Sequence, residues 1–194
     1  WGQQLTFQND AVTYRQLQIP LMGDYQIENA AVALQVFWCY LQLTQQKLEV
    51  RDIKRALKRV NWPGRFEKIN DEPLIILDGA HNPEGVAQLV QTTRHQFKNR
   101  DIYLLFGALG DKNLYEMLPQ LKKIATRMVL TTVPDNPRAA TAAQYAAVDE
   151  TITFEPDWPV ALTELLADVA ADEVLLVTGS LYLISTIRQY FKGE

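Results

Sequence analysis

Leu74-Ile75-Ile76-Leu77-Asp78-Gly79-Ala80-His81-Asn82-Pro83 carries the reading of the fold. Four unbroken apolar residues suit a strand covered on both faces, because a half-exposed strand would alternate apolar and polar positions. A carboxylate, Asp78, ends the run, and Gly79 allows a tight turn. Asn82 followed by Pro83 predicts a helix start. Asparagine offers the capping oxygen, and proline fits the first helical position, where its missing N–H is not needed.

Working outward, the same alternation repeats downstream. Ile102–Phe106, Met128–Thr132 and Val174–Thr178 are short apolar runs read as buried strands, with a further short strand at Ile152–Phe154. Helical segments are expected near 83–97, 112–124, 157–170 and 180–191. Buried strands alternating with helices predict an α/β fold, a mostly parallel sheet with helices on both faces. No internal repeat or low-complexity stretch interrupts it.

Upstream the pattern changes. Asn61-Trp62-Pro63-Gly64 is a breaker cluster, and a domain boundary is expected there, dividing 1–61 from 62–194. Residues 3–9 and 12–19 alternate and read as a hairpin joined through Asn9-Asp10. A helix follows Gly23-Asp24, with Ile27, Ala30, Ala31, Leu34, Phe37, Trp38 and Leu41 recurring every three or four residues. Ala33, Val36 and Tyr40 extend the apolar surface, so this helix is expected to be largely buried, with Cys39 a small buried hydrophobe. Asn29 stands out as a polar residue off the main stripe. A second helix, about 50–60, has a stripe of Ile53, Ala56, Leu57 and Val60 and a basic face of Arg51, Lys54, Arg55, Lys58 and Arg59. That face reads as solvated, since no aromatic residues interleave with its charges.

Bulk properties narrow the function classes. The 194 residues are 47% hydrophobic and 22% charged, enough for a packed core without metal or disulfide staples. A net charge of −4 gives no general attraction to nucleic acid or anionic lipid. One cysteine excludes an internal disulfide and fits a reducing, cytoplasmic setting. No apolar run is long enough to span a bilayer. The start, Trp1-Gly2-Gln3-Gln4, has no basic n-region and no initiator Met, so a fragment or processed chain is expected. One Cys and two His cannot build a soft-ligand metal site.

In an open parallel sheet, ligands bind beyond the carboxyl ends of the strands. Four segments fall there. Asp78–Pro83 offers a carboxylate, His81 and helix N–H groups that favour an anion; the same residues also suit a purely structural turn. Phe106-Gly107-Ala108-Leu109-Gly110-Asp111-Lys112 has glycines but not G-x-G-x-x-G, so a dehydrogenase is poorly supported. Pro134-Asp135-Asn136-Pro137-Arg138 presents a guanidinium suited to gripping a carboxylate, or an exposed turn arginine. Thr178-Gly179-Ser180 is not a G-x-S-x-G elbow, and Ser180 also suits a helix cap. Arg65, within Pro63-Gly64-Arg65-Phe66-Glu67, could meet a phosphate or form a salt bridge. His95 reads as exposed, in mid-helix.

Taken in order, Gly23-Asp24-Tyr25-Gln26-Ile27-Glu28-Asn29-Ala30, Pro63–Glu67, Asp78–Pro83, Gly107 with Asp111-Lys112, and Gly179-Ser180-Leu181-Tyr182 resemble the folylpolyglutamate synthase/dihydrofolate synthase family of the Mur ligase superfamily. The match runs over essentially the whole chain. It implies that 1–61 is the tail of a central ATPase domain and 62–194 a C-terminal Rossmann-like domain. The implied activity is an ADP-forming ligase: ATP phosphorylates a folate or dihydropteroate carboxylate, and the L-glutamate amine attacks the acyl phosphate. Carried over by position, Asn29, Arg65 and Asp78 are the nucleotide contacts, and Arg65 and His81 the catalytic residues. His81 and Ser180 are the glutamate contacts, and Arg138 joins them by extension from the Asp-Asn-Pro-Arg motif of Mur ligases that add a diamino acid.

The family's G-x-x-x-x-G-K-[ST] phosphate loop and its Mg²⁺ ligands have no counterpart in these 194 residues. The chain alone is therefore expected to be inactive, with Mg²⁺ held elsewhere, no metal ligands of its own, small-molecule partners only, and a monomeric state. Two alternatives stay open: a cell-wall amino-acid ligase, toward which Asp135–Arg138 leans, and a non-catalytic nucleotide-binding α/β module. Phe66 and His81-Asn82-Pro83 lean toward the folate branch.

Overall fold

The structure is a computed structural model and describes residues 1–193. The chain forms two compact units, one from Trp1 to Pro63 and one starting at Gly64.

In the first unit, β1 (Gln3–Gln8) and β2 (Thr13–Ile19) make an antiparallel ribbon with Phe7 opposite Tyr14. The Asn9 side chain builds the turn by accepting from the N–H groups of Ala11 and Val12. Helices α1 (Asp24–Thr44) and α2 (Val50–Leu57) follow. Leu5, Phe7, Leu17, Ile19, Leu34 and Ile53 form one small core. The expectation for α1 is corrected here. Only Gln26, Leu34 and Leu41 are buried on it. Val32 is 65% exposed and Leu43 86%, and Val36, Tyr40 and Cys39 are exposed as well. The reason is geometric: a two-stranded ribbon covers one stripe of a helix, and the remaining apolar side chains find no second layer within this unit.

The second unit is a six-stranded sheet in the order β3-β4-β8-β5-β6-β7. Its strands are β3 (Glu67–Asp71), β4 (Leu74–Leu77), β5 (Ile102–Phe106), β6 (Arg127–Leu130), β7 (Thr153–Phe154) and β8 (Val174–Thr178). All pairings are parallel except the edge pair β3–β4. β3 has no counterpart in the sequence reading, because its Glu-Lys-Ile-Asn-Asp run lacks the apolar signature of its neighbours. The helices are α3 (Pro83–Gln96), α4 (Leu114–Lys122), α5 (Ala142–Ala146), α6 (Trp158–Asp168) and α7 (Leu181–Lys192).

Every residue of β4 and β8 is buried. Ile75, Leu77, Leu105, Val129, Leu175 and Val177 face one layer, where they pack with Ala161, Leu162 and Leu165 of α6 and Leu183, Ile184 and Ile187 of α7. By the two-residue period, Leu74, Ile76, Leu104 and Leu176 face the other way, and they are buried too. α3 and α4, which pack on one another, cover that side. Right-handed crossovers require this arrangement. The chain moves one way across the sheet through α3 and α4 and returns through α6, so the helices must lie on opposite faces. No helix among the described residues is long and apolar enough to cross a membrane.

Candidate functional site

β8 lies between β4 and β5, although the chain reaches it last. The segments after β4 and β5 lead to helices on one face, and the segment after β8 leads to α7 on the other. Neighbouring loops that part in this way leave a crevice at the carboxyl ends of the strands. A cleft of about 180 Å³ sits there, lined by His81, Leu109, Lys112, Arg138, Gly179, Ser180, Leu181 and Tyr182. Three of the expected residues, His81, Arg138 and Ser180, thus meet around one space. Lys112 joins them; it lay inside the motif already singled out after β5, without a role assigned.

The turn after β8 is packed too tightly for a side chain. Gly179 has φ +107°, and a Cβ there would lie 2.6 Å from the Phe106 ring and 2.7 Å from the Gly107 carbonyl. Ser180 caps α7 by accepting from the Tyr182 N–H at 3.2 Å. Asn82 caps α3 by accepting from the Gly85 N–H at 2.8 Å, with Pro83 at the first helical position. His81 Nδ1 lies 2.8 Å from the Gly79 carbonyl. A carbonyl only accepts, so Nδ1 carries the proton in this bond, and Nε2 of the neutral ring is left as an acceptor.

Arg138 is held rather than free. Its guanidinium donates to Asp111 at 2.7 Å, and its carbonyl accepts from the Gly110 N–H at 2.7 Å. Partial desolvation pushes the Asp111 carboxyl up, but the bond and charge of Arg138, with Lys112 nearby, outweigh it and hold the carboxyl below its usual value. The post-β5 loop is supported from beneath by Tyr145. Its hydroxyl accepts from the Ala108 N–H at 2.9 Å and donates to the Thr131 carbonyl at 3.3 Å. Burial pushes the Tyr145 hydroxyl up to about 12, so it stays a neutral strut. Tyr145 sits on α5, a helix of one turn that is too short for periodicity to reveal.

Arg65 and Asp78 form a second group. Asp78 is buried, and each of its oxygens accepts a backbone N–H at 2.8 Å, one from Phe66 and one from Ala80. The carboxylate thereby ties the 64–66 turn to the end of β4, with Phe66 held at φ 46°. Burial pushes Asp78 up to about 6, against the lowering pull of those two amides, of Arg65 and of His81. Glu67 anchors the same turn: it accepts from the Gly64 N–H at 2.8 Å and from Arg188 Nε at 3.0 and 3.1 Å. Glu67 stood inside the Pro63–Glu67 motif without a role assigned, and Tyr145 was not singled out, because Arg188 and Ala108, their respective partners, are far away in sequence. Asn29 belongs to the first unit, where it is exposed and donates to the Gln26 side chain at 3.3 Å. Among the described residues there is no cluster of three His, Cys, Asp or Glu side chains able to hold a metal ion.

The sequence profile of the family described as "Mur ligase, glutamate ligase domain" matches residues 64–181. A folylpolyglutamate synthase from Lacticaseibacillus casei is 38% identical over 193 residues, which is 100% of this chain and 44% of that protein. The apo form of the L. casei enzyme superposes with a TM-score of 0.84 at 35% identity, over 100% of this chain and 43% of that one. A Mycobacterium tuberculosis folylpolyglutamate synthase complexed with ADP superposes with a TM-score of 0.86 at 27% identity, over 98% of this chain and 45% of that one. The chain thus spans under half the length of these relatives. With both sequence and architecture in agreement, the chain belongs to the folylpolyglutamate synthase/dihydrofolate synthase family of the Mur ligase superfamily.

Proposed function

We propose that this chain is the C-terminal part of an ADP-forming ligase that adds L-glutamate to a dihydropteroate or a folate. The observation that carries the reading is the convergence of His81, Lys112, Arg138 and Ser180 on one cleft, inside a segment matched to a glutamate ligase domain. Glutamate has two carboxylates and one amine. Arg138 and Lys112 provide cations for the carboxylates, and Arg138 can share its guanidinium between Asp111 and a ligand because it has five donors. The Ser180 hydroxyl and the N-terminal amides of α7 favour an anion beside them. Nε2 of His81 is an acceptor for a proton leaving the glutamate amine.

Arg65 is the nucleotide-side residue, placing positive charge where a phosphoryl group is transferred. Asp78 holds that turn in place and keeps unused lone pairs for the nucleotide, and Asn29 reads the base. ATP supplies the phosphoryl group that activates the folate carboxylate. The ADP bound to the M. tuberculosis relative supports this nucleotide choice. Mg²⁺ belongs to residues outside this chain, as do the phosphate loop and most of the folate pocket. The chain by itself is inactive on this reading, and works in the cytoplasm as a monomeric unit. Folate- and glutamate-dependent ADP release from the 194 residues alone would overturn that.

In the complete ligase, Arg138→Ala should raise the KM for glutamate about tenfold or more and leave the KM for ATP unchanged, since it removes a charge-assisted contact to one substrate. An unchanged glutamate KM would return Arg138 to a purely structural link with Asp111.

A further inference from the structure

The opposite end of the sheet holds a second cleft. Between the C-terminal halves of α3 and α4 lies a cavity of about 490 Å³, whose lining includes Val90, Arg94, His95, Lys98, Gln120 and Lys123. A smaller lobe of about 210 Å³ shares Arg94, Lys98 and Lys123 and reaches Thr93 and Ile102. Ile102 is the first residue of the five-residue strand β5. The smaller lobe is therefore at the amino ends of the strands, roughly 15 Å, one strand length, from their carboxyl ends.

Three observations define its chemistry. Arg94, Lys98 and Lys123 are exposed and form no ion pair among the described residues, and neither lobe is lined by Asp or Glu. Elsewhere in this unit most cations are matched: Lys122 with Asp149, Arg127 with Glu164 and Asp168, Arg138 with Asp111, and Arg188 and Lys192 with Glu67. Arg100, on the smaller lobe, donates to the backbone carbonyls of Asp172 and Glu173. Second, the Thr93 hydroxyl, in a residue 1% exposed, is the one buried side-chain polar atom among the described residues without a hydrogen-bond partner. Leaving such a group unpaired costs about 1–3 kcal/mol, and native structures seldom tolerate it without a reason. Third, Val90, Phe97 and Ile124 give the cleft an apolar floor. Cations at helix C-termini also offset the helix dipole. That accounts for basic residues at the two helix ends. It accounts neither for three together without a carboxylate nor for the hydroxyl.

We propose that this cleft is a second binding site, separate from the crevice at the other end of the sheet, for a small anion carrying two or more closely spaced carboxylate or phosphate groups. Arg94, Lys98 and Lys123 meet its charges, and Thr93 donates to it at the inner end.

The test is calorimetric titration of the 194-residue chain with citrate and with tripolyphosphate at low salt. Saturable one-to-one binding is expected, with a preference between the probes reporting whether carboxylate or phosphate is the natural group. Replacing Arg94, Lys98 and Lys123 together by Gln should weaken binding about tenfold or more. Thr93→Val, which keeps the side-chain shape, should weaken it about fivefold. The matched triple replacement of Arg51, Lys54 and Arg55 by Gln on α2 should leave it unchanged. The proposal is overturned if neither probe binds, if both triple variants weaken binding equally, or if Thr93→Val binds as tightly as the unaltered chain.

Discussion

The two units solve the same problem, covering apolar surface, with different means. In the second, β4, β8 and most of β5 are buried along their whole length, because helices lie on both faces of the sheet. In the first, a ribbon of two strands covers one stripe of α1, and Val32, Val36 and Leu43 face solvent. Local construction differs as well. Four of the five helices of the second unit, α3, α4, α5 and α7, begin with a side-chain cap from Asn82, Asn113, Thr141 and Ser180, whereas α6 has none and neither α1 nor α2 has one. The lesson is that burial follows the number of layers available to an element, not the apolar content of the element itself.

That contrast can be broken or sharpened by mutation. The largest effect is expected at Leu105, fully buried in the centre of the sheet. Leu105→Ala should cost about 3–5 kcal/mol, read from amide exchange in β8. A loss under about 1 kcal/mol would mean that the sheet core is not close-packed.

Next comes Asp78. Its folded value of about 6 lies above its ordinary 3.8. A raised carboxyl favours folding in its protonated form, so its contribution is full below pH 4 and is lost as pH rises through 6. A rise of that size corresponds to about 3 kcal/mol. Denaturation of the second unit followed from pH 4 to 7 should show this decline in the unaltered chain and a flatter profile in Asp78→Asn. Equal slopes would exclude Asp78 as the source.

Asn82→Ala should then cost about 1 kcal/mol through loss of the α3 cap, measured by urea denaturation. Smallest of all is Leu43→Ala, where 86% exposure predicts a change within about 0.5 kcal/mol. A loss above 2 kcal/mol there would show that α1 has a second packing layer, and the contrast between the units would fail.

Much of the second unit was legible because its strands are short apolar runs with turn residues at both ends. Val174–Thr178 and Ile102–Phe106 stand where the pattern places them, and Asn82-Pro83 opens α3 as its chemistry demands. The misreadings share a cause. The apolar surface of α1 suggested burial, and Cys39 with it, because periodicity shows which residues are able to pack and not whether anything lies opposite them. β3 and α5 escaped notice because a polar edge strand and a single helical turn leave no periodic trace.

The candidate site divides along the same line. The residue types were local information: a carboxylate at a strand end, a histidine on its turn, an arginine just after a proline, a serine before a helix. Sequence by itself determined these, together with the alternation that makes a parallel sheet, since both depend on neighbours a few positions apart. Only the tertiary structure decided that β8 inserts between β4 and β5, and so that His81, Lys112, Arg138 and Ser180 border one cleft. Only it decided that Asp111 holds Arg138, that Asp78 gives both its oxygens to the 64–66 turn, and that Thr93 is buried without a partner. Those outcomes depend on strand order and on contacts between residues far apart in the chain, which no local pattern encodes.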